Sequence, residues 1–341
     1  MKKILIIFLC LCLCSCATIN TKIDEIKLKR LGYSEEDISA IFALNETSQE
    51  LFINEYNDKL LTIINTVGFK EENIKKYLEF FGVFENEKMI ELVNDNILTS
   101  SSMNKLVEMY NSEFYVDRFE ELYLKYFDKY ANARDLLEIV NTKRYKKLYS
   151  DISKTDVSKD YLMLINKYYS LTEDYEPDDM VTIDPYYGIG QTRKEVYDQY
   201  KKLQDDANAL GYDFTICSAY RSYDTQYVLY NRYLESEGGN VEATDMYSAR
   251  PGHSEHQSGL CLDLTTPIYG MDDFGESEAS KWVDENCYKY GFIIRYTHDK
   301  ERITGYEAEP WQIRYVGSAE VAKYIMDTGI TFDEYYACFV E

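Results

Sequence analysis

The hydrophobic pattern of this chain changes near Asp156, and that change most constrains its fold. Before it, apolar side chains recur at helical spacing, as at Ile74, Tyr77 and Leu78. After it, short apolar runs separated by loops predict strands at 213–218, 259–264, 291–296 and 311–316. The same half has helical patterns at 193–210, 221–235 and 279–290. Helices followed by an antiparallel sheet indicate an α+β chain.

The helical half contains two similar segments, each with a turn, then acidic residues, then an apolar face. Gly32 to Ile38 is echoed by Gly68 to Ile74. Such weak repeats of unequal length are compatible with a small solenoid. We therefore predict a helical stalk or repeat region over residues 16–157, whose partner the sequence does not indicate, and a second domain over 158–341.

The amino terminus, MKKILIIFLCLCLCSCATIN, is typical of an export signal. Its apolar run, Ile4 to Leu13, is too short to span a bilayer as a stable helix. Leu13-Cys14-Ser15-Cys16 resembles a lipobox, which predicts a lipoprotein signal peptide over 1–15 and lipidation of Cys16. The alternative is an ordinary cleaved secretory signal. In the first case the protein is an extracytoplasmic lipoprotein held at the membrane by its lipid anchor.

Charge and cysteine usage narrow the possible functions. The formal net charge of -23 would repel phosphate backbones, so nucleic acid is not an expected partner. The cysteines beyond the signal have no zinc-finger spacing, and we expect buried free thiols; they are Cys217, Cys261, Cys287 and Cys338.

Polar residues interrupt the predicted strands of the second half. His256 and Asp263 are residue types that zinc accepts as ligands, although a pair alone is a weak signal. The neighbouring motifs are more specific, and they occur in a fixed order: SAYRSYDTQ (218–226), RPGHSEHQSGL (250–260), YGFIIRY (290–296) and EPWQIRYV (309–316). This set strongly resembles the VanY-type D-alanyl-D-alanine carboxypeptidases of the LAS metallopeptidase group. The resemblance covers residues 158–340 and implies a hedgehog-like antiparallel sheet domain.

The resemblance implies a role for each matching residue. His256 and Asp263 would be ligands of Zn²⁺, and Glu309 would be the general base that takes a proton from water. Arg221 would hold the peptide carbonyl or the developing oxyanion. Ser254 and Gln226 would be polar groups on the substrate side. The substrate implied is a peptidoglycan stem peptide, cut at a D,D or an L,D bond.

Gln312 departs from the family pattern, which has a histidine as the third zinc ligand there. An amide oxygen is a poor donor to zinc. Gln312 could bind weakly, water or another histidine could fill the position, or the fold could bind peptide without cutting it. His253 and His298 match no ligand position, and we expect both to be solvated loop histidines.

Overall fold

The computed structural model of the protein describes residues 22, 24–54, 57–82, 84–94 and 102–341. The predicted signal peptide and Cys16 lie outside these residues. The chain divides into two compact units, Met1–Ser112 and Glu113–Glu341. Within the described part of the chain, no helix combines the length and apolar character needed to cross a bilayer.

The first unit is helical, as predicted. After a helical stretch at 24–31, its helices are α1 Glu35–Phe42, α2 Glu46–Ile53, α3 Asp58–Ile64, α4 Ile74–Phe80, α5 Asn86–Asn94 and α6 Met103–Tyr110. Ser34 begins α1 with a capping box, because its hydroxyl accepts from the Asp37 N–H while Asp37 accepts from the Ser34 N–H. Gly68 permits a close approach, since a Cβ there would lie 1.8 Å from the Val93 carbonyl oxygen.

The second unit combines helices with short sheets. Its α-helices are α7 Glu120–Tyr126, α8 Ala133–Asn141, α9 Lys194–Ala209, α10 Tyr223–Ser236, α11 Val241–Tyr247, α12 Glu278–Asn286, α13 Glu301–Thr304, α14 Ala319–Thr328 and α15 Phe332–Phe339. Its strands are β1 Ser153–Lys154, β2 Tyr169–Ser170, β3 Met180–Thr182, β4 Gln191–Arg193, β5 Thr215–Ser218, β6 Cys261–Thr265, β7 Phe292–Tyr296 and β8 Glu309–Tyr315. The 3-10 helices that matter below are Glu255–Ser258 and Cys287–Tyr290.

The main sheet has the strand order β5-β6-β8-β7, and every neighbouring pair is antiparallel. Each of its strands coincides with a predicted one to within a few residues, and the predicted α+β class is confirmed. Two small sheets were not predicted: β1 pairs with β2 in parallel, and β3 pairs with β4 antiparallel.

Helix α9 covers one face of the sheet. Its apolar side chains Val196, Tyr200 and Leu203 are buried in one core with Leu262 and Leu264 of β6. Because side chains alternate along a strand, the residue between those leucines, Asp263, faces the opposite side of the sheet. The sheet therefore presents its polar residues on the face turned away from α9.

The unit that contains the sheet begins at Glu113, so it includes residues 113–157, which the sequence prediction assigned to the stalk region. The reason is packing by α8. This helix buries Leu136 and Val140 completely and packs against the C-terminal helix α15. Arg134 of α8 also pairs with Glu334 of α15 at 3.1 Å.

Candidate metal and active site

Strand register assembles the polar face of the sheet. Asp263, on the central strand β6, lies opposite Gln312 of β8 and opposite Ser218 of β5. Residues that are directly opposite in an antiparallel pair project on the same face, so these three side chains are neighbours. The pairing with Ser218 depends on a register shift between Ile216 and Ser218. Without that bulge at Cys217, Ser218 would face the other side.

His256 reaches this face from the 3-10 turn that precedes β6. The turn ends at Gly259, whose φ of 66° is a left-handed conformation that glycine adopts without strain. The Nδ1 atom of His256 lies 2.6 Å from the Ala219 carbonyl oxygen and donates to it. Its Nε2 atom is thereby directed at Asp263, 3.2 Å from Oδ2. This is the ring orientation that a metal-binding histidine needs.

Asp263 is a buried acidic side chain. It is 4% exposed, and its Oδ1 atom has no hydrogen-bond partner. Burial alone would raise its pKa, but His256 and Arg221 outweigh burial and hold the pKa below its ordinary value. A buried carboxylate oxygen without a partner is costly unless a cation satisfies it.

The donor set fits zinc with a weak third member. An unpaired carboxylate oxygen beside an imidazole nitrogen suits Zn²⁺, and the Gln312 amide, 4% exposed, lies next to them on β8. Over the described ranges, no group of three or more His, Cys, Asp and Glu residues is suited to a metal ion. Gln312 would thus offer an amide oxygen, a neutral donor, at the third position.

Arg221 is held beside this pair by its neighbours. Its guanidinium donates to Gln226 Oε1 at 2.8 Å and to Ser218 Oγ at 3.0 Å, and lies 3.9 Å from Asp263 Oδ2. Gln226 in turn donates to the Ala249 carbonyl at 2.6 Å. Gln226, predicted as a substrate-side group, lines the cavity, yet both ends of its amide are engaged within the protein. These hydrogen bonds place Gln226 between the Arg221 guanidinium and the Ala249 carbonyl.

Glu309 begins β8, opposite Tyr296 of β7, and is half-buried. Desolvation, reinforced by the negative charge of Asp263, raises its pKa well above the ordinary value. Glu309 and Asp263 therefore differ in protonation behaviour, although both are acids of one site. Such a divergence is typical of a carboxylate pair with separate catalytic roles.

A cavity of about 330 Å³, here called the catalytic cavity, joins these groups. Every predicted site residue other than Cys16 lines it: Arg221, Gln226, Ser254, His256, Asp263, Glu309 and Gln312. Arg221 and Gln312, 91 positions apart in the chain, thus meet around one opening.

The prediction for the other histidines is half right. His298 is exposed, as expected, with a side chain 88% accessible. His253 is buried at 7% exposure and lines the catalytic cavity, so its prediction as a solvated residue is wrong. Its Nδ1 atom lies 2.7 Å from the Asn166 carbonyl, its ring packs edge-on against Tyr149, and burial lowers its pKa.

A buried ionic network that the sequence did not predict lies behind His256. Arg295 of β7 donates to Glu255 Oε1 at 2.8 Å, and its Nη1 atom lies 2.8 Å from Asp333 Oδ2 without hydrogen-bond alignment. Asp333 also accepts from Asn166 at 2.6 Å. Glu255 directly precedes His256, so the network fixes the turn that carries that ring. The available signal was an arginine inside the apolar strand 292–296.

The sheet and its His–Asp pair have the architecture of an LAS-type domain. Residues 190–318 match the family VanY: D-alanyl-D-alanine carboxypeptidase. YodJ of Bacillus subtilis (strain 168) is 39% identical over 203 residues, which cover 55% of this chain and 73% of YodJ. VanXYC of Enterococcus gallinarum, a bifunctional D-Ala-D-Ala dipeptidase and D-Ala-D-Ala carboxypeptidase, is 35% identical over 161 residues, covering 46% of this chain and 83% of VanXYC.

A solved structure agrees. The LdcB LD-carboxypeptidase superposes with a TM-score of 0.51 at 38% identity, covering 56% of this chain and 92% of LdcB. The chain belongs to the VanY family of D-alanyl-D-alanine carboxypeptidases.

Proposed function

We propose that this chain is a zinc-dependent D,D- or L,D-carboxypeptidase that acts on peptidoglycan stem peptides outside the cytoplasm. The observation that carries the proposal is one cavity lined by His256, Asp263, Glu309 and Arg221. The relatives add support, since VanXYC is a D-Ala-D-Ala carboxypeptidase and LdcB an LD-carboxypeptidase.

His256, Asp263 and the amide oxygen of Gln312 would hold the zinc. When bound, zinc would supply a Lewis acid that makes water more acidic and polarises a peptide carbonyl. The Ala219 carbonyl keeps the His256 proton on Nδ1, which leaves Nε2 free to act as a ligand.

Glu309 is the general base of the proposed reaction. Burial and the nearby Asp263 charge raise its pKa, so its carboxylate is a stronger base than that of an exposed glutamate. It takes the proton of the attacking water and returns a proton to the leaving amine. Because the base must be ionised, kcat/KM should rise with pH as Glu309 loses its proton.

Arg221 stabilises the negative charge that develops on the carbonyl oxygen. Its hydrogen bonds to Gln226 and Ser218 fix the guanidinium before substrate arrives. A cation that is already in position needs no reorganisation during the reaction. Such donors typically lower the activation barrier by about 3–4 kcal/mol.

A second candidate function is binding of cell-wall peptide without hydrolysis. Gln312 favours it, because a neutral amide replaces the imidazole that the family pattern places there. One change among the ligands of a metal can abolish catalysis while the rest of the cavity remains intact. Both candidate functions involve the same cell-wall peptide, and they differ in whether the protein hydrolyses it.

The test compares the parent chain with Gln312→His. The substitution completes a His/Asp/His set, so zinc affinity measured by calorimetry should rise about tenfold or more. Release of D-alanine from a stem peptide that ends in D-Ala-D-Ala should rise with it. Gln199→His, which adds an imidazole on α9 outside the catalytic cavity, is the matched control.

Glu309→Gln in the Gln312→His background separates binding from chemistry. Zinc should remain bound, and D-alanine release should fall by about a hundredfold or more, the usual contribution of a general base. A Gln312→His protein that binds no more zinc than its parent would favour the binding function. A parent chain that binds one zinc tightly and releases D-alanine would show that the amide is a sufficient ligand.

Attachment to the membrane through Cys16 is part of the proposal and needs its own test. Cys16→Ala should abolish incorporation of labelled lipid and release the protein from the membrane fraction, or leave it unprocessed. Unchanged lipid labelling of the variant would exclude the lipoprotein.

A further inference from the structure

A second cavity continues from the catalytic cavity along helix α10. It has a volume of about 520 Å³ and is lined by Arg221, Asp224, Thr225, Val228, Leu229 and Arg232. Arg221 and Leu229 line both cavities. The two cavities therefore adjoin at these side chains, which places the α10 surface next to a ligand in the catalytic cavity.

The two ends of this continuous space differ in exposure. Around His253, Ser254 and Tyr306 the side chains are between 3% and 7% exposed, so that end is closed. On α10, Val228 is 67% exposed, so the other end is open. A carboxypeptidase must enclose the C-terminal residue of its substrate while the rest of the bound peptide projects out of the cavity. The closed end suits the C-terminal residue, and α10 lies at the open end, where the rest of the peptide would project.

The exposed face of α10 has the dimensions of a short peptide. Asp224, Val228 and Arg232 follow one another at four-residue spacing and thus lie on one side of the helix. At 1.5 Å per residue this face is about 12 Å long. An extended peptide advances about 3.3 Å per residue, so the face accommodates three to four residues.

Arg232 ends this face with an unused positive charge. Its guanidinium lies 5.4 Å from the centre of the Tyr233 ring, and no acidic side chain of the described residues forms an ion pair with it. An exposed arginine beside an apolar surface is suited to bind a carboxylate carried by a peptide.

We propose that this face of α10 binds the amino-terminal part of the stem peptide and that Arg232 pairs with a free carboxylate there. The apolar stretch at Val228 and Leu229 contacts the peptide backbone and small side chains, and Arg232 selects the acidic residue. The inference rests on the proposed function, because it names a subsite of the same peptide.

The experiment measures peptide binding in the zinc-supplemented, full-length Glu309→Gln protein, so that turnover does not interfere. The probes are the pentapeptide L-Ala-γ-D-Glu-L-Lys-D-Ala-D-Ala, the same peptide with the glutamate α-carboxylate amidated, and acetyl-L-Lys-D-Ala-D-Ala. Arg232→Gln should raise the Kd of the acidic pentapeptide about threefold, the scale of one exposed ion pair. The other two probes should be unaffected, and Arg232→Lys should restore most of the loss.

Salt and a matched control sharpen the result. The preference for the acidic over the amidated pentapeptide should shrink between 0.05 M and 0.5 M salt, because an exposed ion pair is screened. Lys323→Gln removes a positive charge that lines neither cavity and should change no Kd.

Three outcomes would overturn the inference. Arg232→Gln could weaken the binding of all three peptides equally, or weaken the binding of none. Alternatively, Asp273→Asn could weaken the pentapeptide while Arg232→Gln does not, in which case the peptide leaves through the acidic groove beside Trp311. A parent protein that binds none of the probes would instead refute the proposed function itself.

Discussion

The two compact units bury different kinds of polar side chain. In the described part of Met1–Ser112, the buried polar side chains are Ser48, Asn73 and Ser102, all uncharged. In Glu113–Glu341, the charged residues Lys167, Arg295 and Arg314 are at most 2% exposed. A buried charge costs several kcal/mol unless partners compensate it. The buried side chains described in the first unit are apolar or uncharged, whereas the second unit also maintains costly buried charges.

The partners in the second unit are arranged in connected sets. Arg295 lies between Glu255 and Asp333, and Arg314 donates to the carbonyls of Tyr161 and Met163. These contacts join β7 to the turn at Glu255 and to the C-terminal helix α15, and join β8 to the segment 161–163. The difference between the units indicates that charge burial here serves the geometry of the site, since apolar side chains would pack at lower cost.

The largest expected effect comes from removing α8. A chain of residues 113–341 should unfold cooperatively in urea, because it keeps the whole second unit. A chain of residues 158–341 loses Leu136, Leu137 and Val140, each at most 2% exposed. Burial of each of these side chains stabilises the fold by about 1.5–3 kcal/mol. Together, the three are comparable to the total unfolding free energy of many domains. Equal urea midpoints for the two chains would support the boundary predicted from the sequence instead.

Arg295→Met should have the next largest effect. It leaves the buried carboxylates of Glu255 and Asp333 without their cation, which costs about 3–5 kcal/mol of unfolding free energy. Arg302→Met is the control, since Arg302 pairs with Asp135 and Glu138 at 51% exposure and should cost less than about 1 kcal/mol. Similar losses in both variants, measured by urea unfolding, would contradict the view that burial makes the difference.

A smaller effect concerns pH. Burial lowers the pKa of Lys167 to about 7, whereas an unfolded lysine titrates near 10.4. Between these values the unfolded chain binds more protons, so the unfolding free energy rises with pH by at most about 1.4 kcal/mol per unit. The penalty for the buried charge is complete below about pH 7 and is relieved above it.

Lys167→Met should remove this rise. The unfolding free energy of the variant minus that of the parent should therefore fall from pH 7 to pH 9. Urea unfolding at each pH measures both values. Lys281→Met, at a side chain 63% exposed, should leave the pH profile unaltered. A profile that is the same for Lys167→Met and its parent would mean that Lys167 keeps an ordinary pKa.

Local sequence was sufficient for much of this protein. The strands of the main sheet and helices α9, α10 and α12 were predictable, and the resemblance to a known family indicated His256, Asp263 and Gln312 as candidate ligands. The reason is that hydrophobic period, turn residues and short motifs are written within a few adjacent positions. The change of pattern near Asp156 likewise indicated helices followed by a sheet.

Only the tertiary structure decided how those parts combine. The bulge at Cys217 directs Ser218 towards Asp263, and Gln226 holds Arg221 instead of facing solvent. The burial of His253 depends on the Asn166 carbonyl, which lies 87 positions away in the chain. The local sequence of one segment does not indicate which distant segment it will contact. Their energies depend on burial and distance, which exist only once the chain has folded.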